Sequence, residues 1–392
     1  MLKKAAGLLW VFLVLFSSQP AYAAQSENAA EAFSWPEALE QLDVSALEEY
    51  KNNIERELDF KLNKTSVTQW LKDFVSGDWS FDFKSLGENL GGFFLREVKV
   101  NASLLGKLIL LSVVTALLMN LQTSFSSSVA RISHWVCFLA ISALALGSFK
   151  VAFALAADTI DNMVAFMMGM LPQMLLLTAA LGNFNSSVIL FPLLMSSTTA
   201  FAAAIKNIVF PLIIMSAIMS IVNHLSDSLK VERLGRFFRQ AAQLSLSLFV
   251  TVFVGVITLQ AVYVSSLDKI TLRTTKFVTD NAIPVVGKMF SDTIEVAAGY
   301  VAMLKQGLGV VGVFIILGLI LYPLLKIAAV AFIYKISGAI VEPMGNAKTA
   351  AVLESMSSHL FLILSAMAAI GLMFMVMIAL LVGMANGFSA LR

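Results

Sequence analysis

Residues 360–386 run from Leu360 to Asn386 without one acidic or basic side chain. Water cannot solvate a free surface of that kind. The stretch is also longer than the roughly 20 residues that carry a helix across a ~30 Å hydrocarbon core. Comparable apolar runs lie near 103–122, 135–156, 163–181, 188–205, 207–225, 242–264 and 308–333, which makes eight expected spans. Inside a bilayer every backbone polar group must be paired within the segment, so each run is read as a helix. Composition agrees, at 58% hydrophobic and 13% charged with a mean hydropathy of +0.84. Soluble domains hold about 45–50% apolar and about 25% charged residues. The expected class is all-α: a polytopic helical membrane protein of eight spans, with an exported N-terminal helical region behind a signal peptide.

The first residues carry the signal pattern: Lys3 and Lys4, an apolar run from Leu8 to Phe16, then Ala21-Tyr22-Ala23 as an A-x-A cleavage site. The alternative, a first membrane helix, is disfavoured because the run is too short to span. The single cysteine, Cys137, excludes an intramolecular disulfide. Residues 24–100 hold 15 of the 25 acids and 8 of the 27 bases. Leu47, Tyr50, Ile54 and Leu58 recur at helical spacing. Ser34/Glu37, Ser45/Glu48, Ser66/Gln69 and Ser85/Glu88 match the capping-box interval. Several short helices with an acidic exterior are expected. Trp79, Phe81 and Phe83 in "GDWSFDF" are read as aromatics at the membrane surface, with a partner-docking edge as the alternative.

Beyond this region the expected order is six spans within 101–264, an amphipathic interfacial or re-entrant segment at 265–307, and C-terminal spans within 308–392. Export of residues 24–100 places the basic loop 227–240 inside, with Lys230, Arg233, Arg236 and Arg239, as the positive-inside rule requires. The short loop expected around Asp158 and Asp161 falls outside. Leu234, Phe237, Phe238 and Ala241 share one face of the basic segment, which suits a helix on the inner membrane surface, with docking of a cytoplasmic ATPase as the alternative.

Four prolines fall within expected spans, Pro172, Pro192, Pro211 and Pro323, and each is a candidate helix kink. Lys107, Lys150 and Lys326 lie in or near spans, where lysine stems reach the interface by snorkelling. Lys150 and Lys326 are the candidates for an intramembrane polar role. Hydroxyls in "SFSSSVARIS" and "MSSTTA", and Gly307, Gly309 and Gly312, suit helix–helix packing.

No enzyme constellation is present. The chain has no Walker A loop, no HExxH and no nucleophile elbow, and His134, His224 and His359 lack partners at metal-ligand spacing. No catalytic residue, cofactor, metal or nucleic-acid partner is expected.

The segment "TDNAIPVVGKMFSDTIEV" (279–296) is too charged for an ordinary span and too apolar for a linker. As a helix it places Val286, Met289, Phe290 and Thr293 on one face and Lys288, Asp292 and Glu295 on the other. Lys288 and Asp292 stand one turn apart. Pro284 suits a first turn, where its missing N–H costs no helical bond. Three placements remain open: on the outer surface, as a re-entrant element, or across the membrane. The first two are favoured, because three charges within a span need partners.

The same stretch, through Asp280, Asn281, Ile283, Pro284, Val286, Gly287, Lys288, Met289, Phe290, Ser291 and Asp292, resembles the signature of the stage III sporulation protein AE family of endospore-forming bacteria. With Glu295, the charged and turn-forming members are candidate partner-contact or channel residues. The resemblance implies a multi-pass protein of the mother-cell membrane around the forespore. It also implies work with other stage III A-operon proteins, including a separate ATPase, and indirectly with forespore protein Q, in a secretion-like channel. Two functions stand beside each other: a membrane platform of that complex, and an autonomous permease for a small solute.

Overall fold

The computed structural model describes residues 44–58, 66–76, 83–121, 127–181, 184–225, 230–282, 286–344 and 347–383. Among them every regular element is helical. Three short N-terminal helices, α1 (Ser45–Leu58), α2 (Val67–Ser76) and α3 (Phe83–Val100), precede α4 (Ala102–Leu121). Then follow α5 (Ser127–Ala180), α6 (Phe184–Ala204), a π-helical segment (Ile205–Val209) and α7 (Phe210–Leu225). The chain continues with α8 (Glu232–Ala282), α9 (Val286–Val341), a 3-10 turn (Glu342–Met344) and α10 (Ala347–Gly383). The signal segment, Ser34 and the aromatics Trp79 and Phe81 lie outside the described residues.

The count of spans differs from expectation. Among the described residues five stretches are long and apolar enough to cross a membrane: Trp135–Ala180, Ser187–Leu225, Glu232–Gln260, Val301–Met344 and Ala347–Gly383. A sixth forms if α3 and α4, bent by 45°, serve as one. Two expected loops are absent. Asp158 and Asp161 lie in the middle of α5, which runs unbroken for 54 residues. "ADTIDN" contains neither glycine nor proline, Thr159 bonds back to the Leu155 carbonyl at 2.7 Å, and Ile160 is buried. Nothing local ends the helix. The second expected loop, at residue 206, is the π segment. Pro211 has no N–H to give and crowds the preceding turn. A wider turn accommodates it, with the Phe210 N–H reaching back to the Ile205 carbonyl. Pro172 and Pro323 sit inside continuous helices, Pro192 likewise within α6.

The core is the antiparallel pair α9 and α10, brought together by small residues. A Cβ at Gly309 would lie 2.1 Å from Val382 Cγ2, and one at Gly371 only 1.9 Å from Ile320 Cδ1. At Gly312 the intruders are Met170 of α5 and Ile378 of α10. Cross-helix hydrogen bonds add direction. Ser357 donates to the Ala331 carbonyl at 2.8 Å, and Tyr334 to the Leu144 carbonyl of α5 at 3.4 Å.

The N-terminal helices share this core instead of forming one of their own. Leu47, Ile54, Val67, Trp70 and Leu71 belong to the same buried cluster as the long helices. Ile54 fills the space above Gly318, and Leu71 and Phe74 meet Gly307. Tyr50 stacks edge-on against Phe166 at 5.3 Å, and burial with the adjacent Glu49 carboxylate raises its phenol pKa. Charge on α1 is matched locally: Lys51 lies 3.5 Å from Glu48 and 3.4 Å from Glu55, above the Trp70 ring. Glu48 also accepts the Val67 N–H at 2.6 Å, so α1 caps α2. Ser66 caps the same end through the Gln69 N–H at 3.2 Å, as its spacing predicted. Ile54→Ala is expected to weaken docking of α1 by about 2–5 kcal/mol. Limited proteolysis in detergent should then cut within α1 faster, and an unchanged rate would show that α1 is held elsewhere.

Candidate functional site

The signature residues lie at the junction of α8 and α9 in the chain. Asp280 and Asn281 occupy the last turn of α8, and Gly287, Lys288, Asp292 and Glu295 the first turns of α9. Pro284, in the connection, lies outside the described residues. The helix expected from Val286 is present, and it continues without interruption into the apolar stretch 308–333. These signature positions are separate in the fold from Lys150 and Lys326. Lys150 is exposed on α5, while Lys326 is half-buried on α9, donating to the Tyr322 hydroxyl at 3.2 Å.

A second group of polar residues forms a continuous surface. The antiparallel hairpin of α5 and α6 is joined near its loop by Ser187, which donates to the Leu175 carbonyl at 2.9 Å. At the far end Lys206, in the π segment, pairs with Asp161. Along the outer face α5 exposes Asp158, Asp161, Asn162, Ala165 and Gly169, and α6 exposes Ser196, Thr199 and Ala203. Asp158 has no ionic partner among the described residues. Gly169 leaves open space where a Cβ would stand, so its small size is not needed for packing within the chain.

The neighbouring helix α8 packs beside this face. On α8, Leu244, Leu248, Val252, Leu259 and Val262 form an exposed apolar ribbon, with Leu244 and Leu259 each 72% exposed. At 1.5 Å per residue the ribbon is ~27 Å long, close to the hydrocarbon thickness. Its midpoint is Phe253, whose ring packs edge-on against Phe201 of α6 at 5.2 Å. Phe201 lies between Thr199 and Ala203. Thr199 and Ala203 therefore stand level with the middle of that ribbon. An Asp or Lys facing lipid there costs about 2.5–3.5 kcal/mol on insertion scales.

Two buried groups also escaped the sequence reading. Ser216, on α7, and His359, on α10, stand 2.8 Å apart although 143 residues separate them. The His359 Nδ1–H donates to the Ser355 carbonyl at 2.7 Å, leaving Nε2 toward the serine. That resembles a nucleophile with its base. Both residues are sealed at 2% exposure, and Gly235 of α8 presents a carbonyl oxygen to Ser216 at 2.9 Å where an oxyanion would need donors. The trio is a clamp joining α7, α8 and α10. The other group is Lys305 of α9, wholly buried, with no hydrogen-bond partner for Nζ among the described residues. No spacing rule points to it, because its surroundings come from helices distant in sequence.

Long apolar helices packed around a glycine-lined central pair define a polytopic helical membrane protein. The family model for stage III sporulation protein AE matches residues 65–385. The chain is also 31% identical over 394 residues to the Stage III sporulation protein AE of Bacillus subtilis (strain 168), with 98% of each chain covered. It belongs to the stage III sporulation protein AE family, and its role lies in sporulation. No solved structure matches it.

Proposed function

We propose that this chain is a non-enzymatic membrane component and assembly platform of a secretion-like channel between mother cell and forespore, needed for forespore development after engulfment. The observation that carries this is the family match, which spans nearly the whole membrane body, signature segment included. The platform sits in the mother-cell membrane around the forespore with its N-terminal helices on the outer side. It works beside other stage III A-operon proteins, among them a separate ATPase, since the chain has no Walker A loop of its own. Forespore protein Q is reached through those partners.

The reading is tested by affinity isolation of the tagged full chain from sporulating cells in mild detergent. Co-isolation of other stage III A-operon membrane proteins is the expected result. A chain that always isolates alone would overturn the platform. The second reading, an autonomous permease, is supported by the polar residues exposed along α5 and α6. It requires solute flux in vesicles that hold this chain alone, and absence of flux there removes it.

A further inference from the structure

We propose that the first turns of α8 hold an anionic phospholipid, with its phosphate on Arg233 and its acyl chains along Phe237, Leu244 and Leu248. The proposal goes beyond a role in a channel complex and does not rest on one. Three observations carry it.

The first is how this segment is held. Leu234, Phe237, Phe238 and Ala241 on one face suit a helix lying flat on the membrane. Glu232–Ala282 is instead a single helix, so the basic segment is the end of the α8 rod. Gly235 fixes that end against α7. A Cβ there would stand 3.3 Å from Met219 Cβ, and its carbonyl accepts the Ser216 hydroxyl at 2.9 Å. Phe238 and Ala241 are half-buried, while Leu234 stays exposed and Phe237 is 60% exposed.

The second is the order of chemistry along one line. Arg233, Phe237, Gln240, Leu244 and Leu248 follow at steps of four, three, four and four, which keeps them on one side of the helix. All five are exposed. At 1.5 Å per residue, Gln240 lies about 10 Å and Leu244 about 17 Å from Arg233. A cation, an aromatic ring, an amide and then leucines match the passage from phosphate through the ester region to acyl chain. Ser247 and Thr251 are exposed beside this line, and Thr251 donates to the Ser247 carbonyl at 2.8 Å, so its proton needs no partner from solvent.

Charge is the third. Across residues 230–240, Lys230, Arg233, Arg236 and Arg239 face a single carboxylate, Glu232. Glu232 pairs with Arg236 at 3.0 Å, and Arg233 has no ion pair among the described residues. A guanidinium can grip a phosphate through two parallel hydrogen bonds. The positive excess favours an anionic headgroup over a zwitterionic one. A free phosphate would use Arg233 and gain nothing from Phe237 or Leu244, so the continuous line selects a lipid.

The test titrates the purified full chain, in a non-ionic detergent, with dioctanoyl phosphatidylglycerol and with dioctanoyl phosphatidylcholine. Apparent affinity is read from the rise in Tm that a ligand of the folded state produces by mass action. Phosphatidylglycerol should bind more tightly, and Arg233→Gln should weaken it about fivefold, the factor expected for one cation near a charged lipid surface. Phe237→Ser should weaken both lipids together. Lys99→Gln removes an exposed cation of α3 and should change neither. Equal affinity for the two lipids, or no effect of Arg233→Gln, would overturn the proposal. So would displacement of the lipid by inorganic phosphate, which means a soluble-anion site. Binding of polyglutamate in place of lipid would overturn it too, because that outcome means an acidic protein surface. Should Arg233→Gln fold poorly, Lys230→Gln ahead of the helix should lower the same preference, and an unchanged preference there would overturn the charge assignment. These measurements need no partner protein, so they succeed or fail separately from co-isolation.

Discussion

Leucine at both Gly309 and Gly371 should lower the stability of the membrane body by about 2–6 kcal/mol, taking about 1–3 kcal/mol for each overpacked site. The two glycines meet different neighbours, Val382 and Ile320, at separate levels of the α9–α10 pair. Costs at sites without shared partners add. Val382 is β-branched and stiff at χ1, so at Gly309 the helices must separate rather than the side chain rotate. Thermal unfolding of the purified protein in detergent should show two additive decreases in Tm. Leucine at Gly169, where the space is open, is the control and should leave Tm nearly unchanged. Equal effects at all three positions would show that the central pair is not the close-packed core.

The opposite sign is expected at Lys305. Lys305→Met keeps the length of the side chain and removes a buried amine that has no hydrogen-bond partner among the described residues. An unsatisfied buried polar group costs about 1–3 kcal/mol, so the variant should be more stable by a similar amount. A rise in Tm, with the protein still monodisperse in detergent, is the expected outcome. A fall in Tm would mean that the amine is paired in the native protein and that its partner contributes to the fold.

Helix content was legible because apolar runs leave the backbone no alternative within a bilayer. The number of crossings was not. Charges at Asp158, Asp161 and Lys206 mark loops under a rule that treats each charge in isolation. Two of these residues, 45 positions apart, neutralise one another across adjacent helices. The same blindness hid Ser216 and His359, whose pairing exists only after α7 and α10 have packed. Pro211 was legible as a disturbance, but not its outcome, a wider turn in place of a break. Capping signals split in a similar way. Ser66 serves its own helix as the interval suggests, while Glu48 also closes the start of α2, 19 residues away.

The candidate residues divide along the same line. Signature positions from Asp280 to Glu295 stood out because their charge pattern contradicts their surroundings, a property of contiguous residues. The polar face on α5 and α6 shows no such contradiction locally. Asp158 is followed by Ala165 and Gly169 at helical intervals, which reads as ordinary membrane helix until the pairing of Asp161 with Lys206 of the adjacent segment is known.

Fusing two pairs of expected spans into single helices bears on how the protein can be mapped. The two fusions together remove two crossings, so every connection from the one after α7 onward keeps the side it would have had with eight, whereas the α5–α6 connection changes side. The basic loop after α7 falls after the third crossing rather than the fifth, and both counts are odd. Enzyme reporters joined after α7 or at residue 392 would thus return identical patterns for either architecture. A reporter in the α5–α6 connection discriminates, because its side inverts, and so do reporters inserted beside Asp158 or Lys206, which would be tolerated and exported in a true loop but would disrupt an unbroken rod.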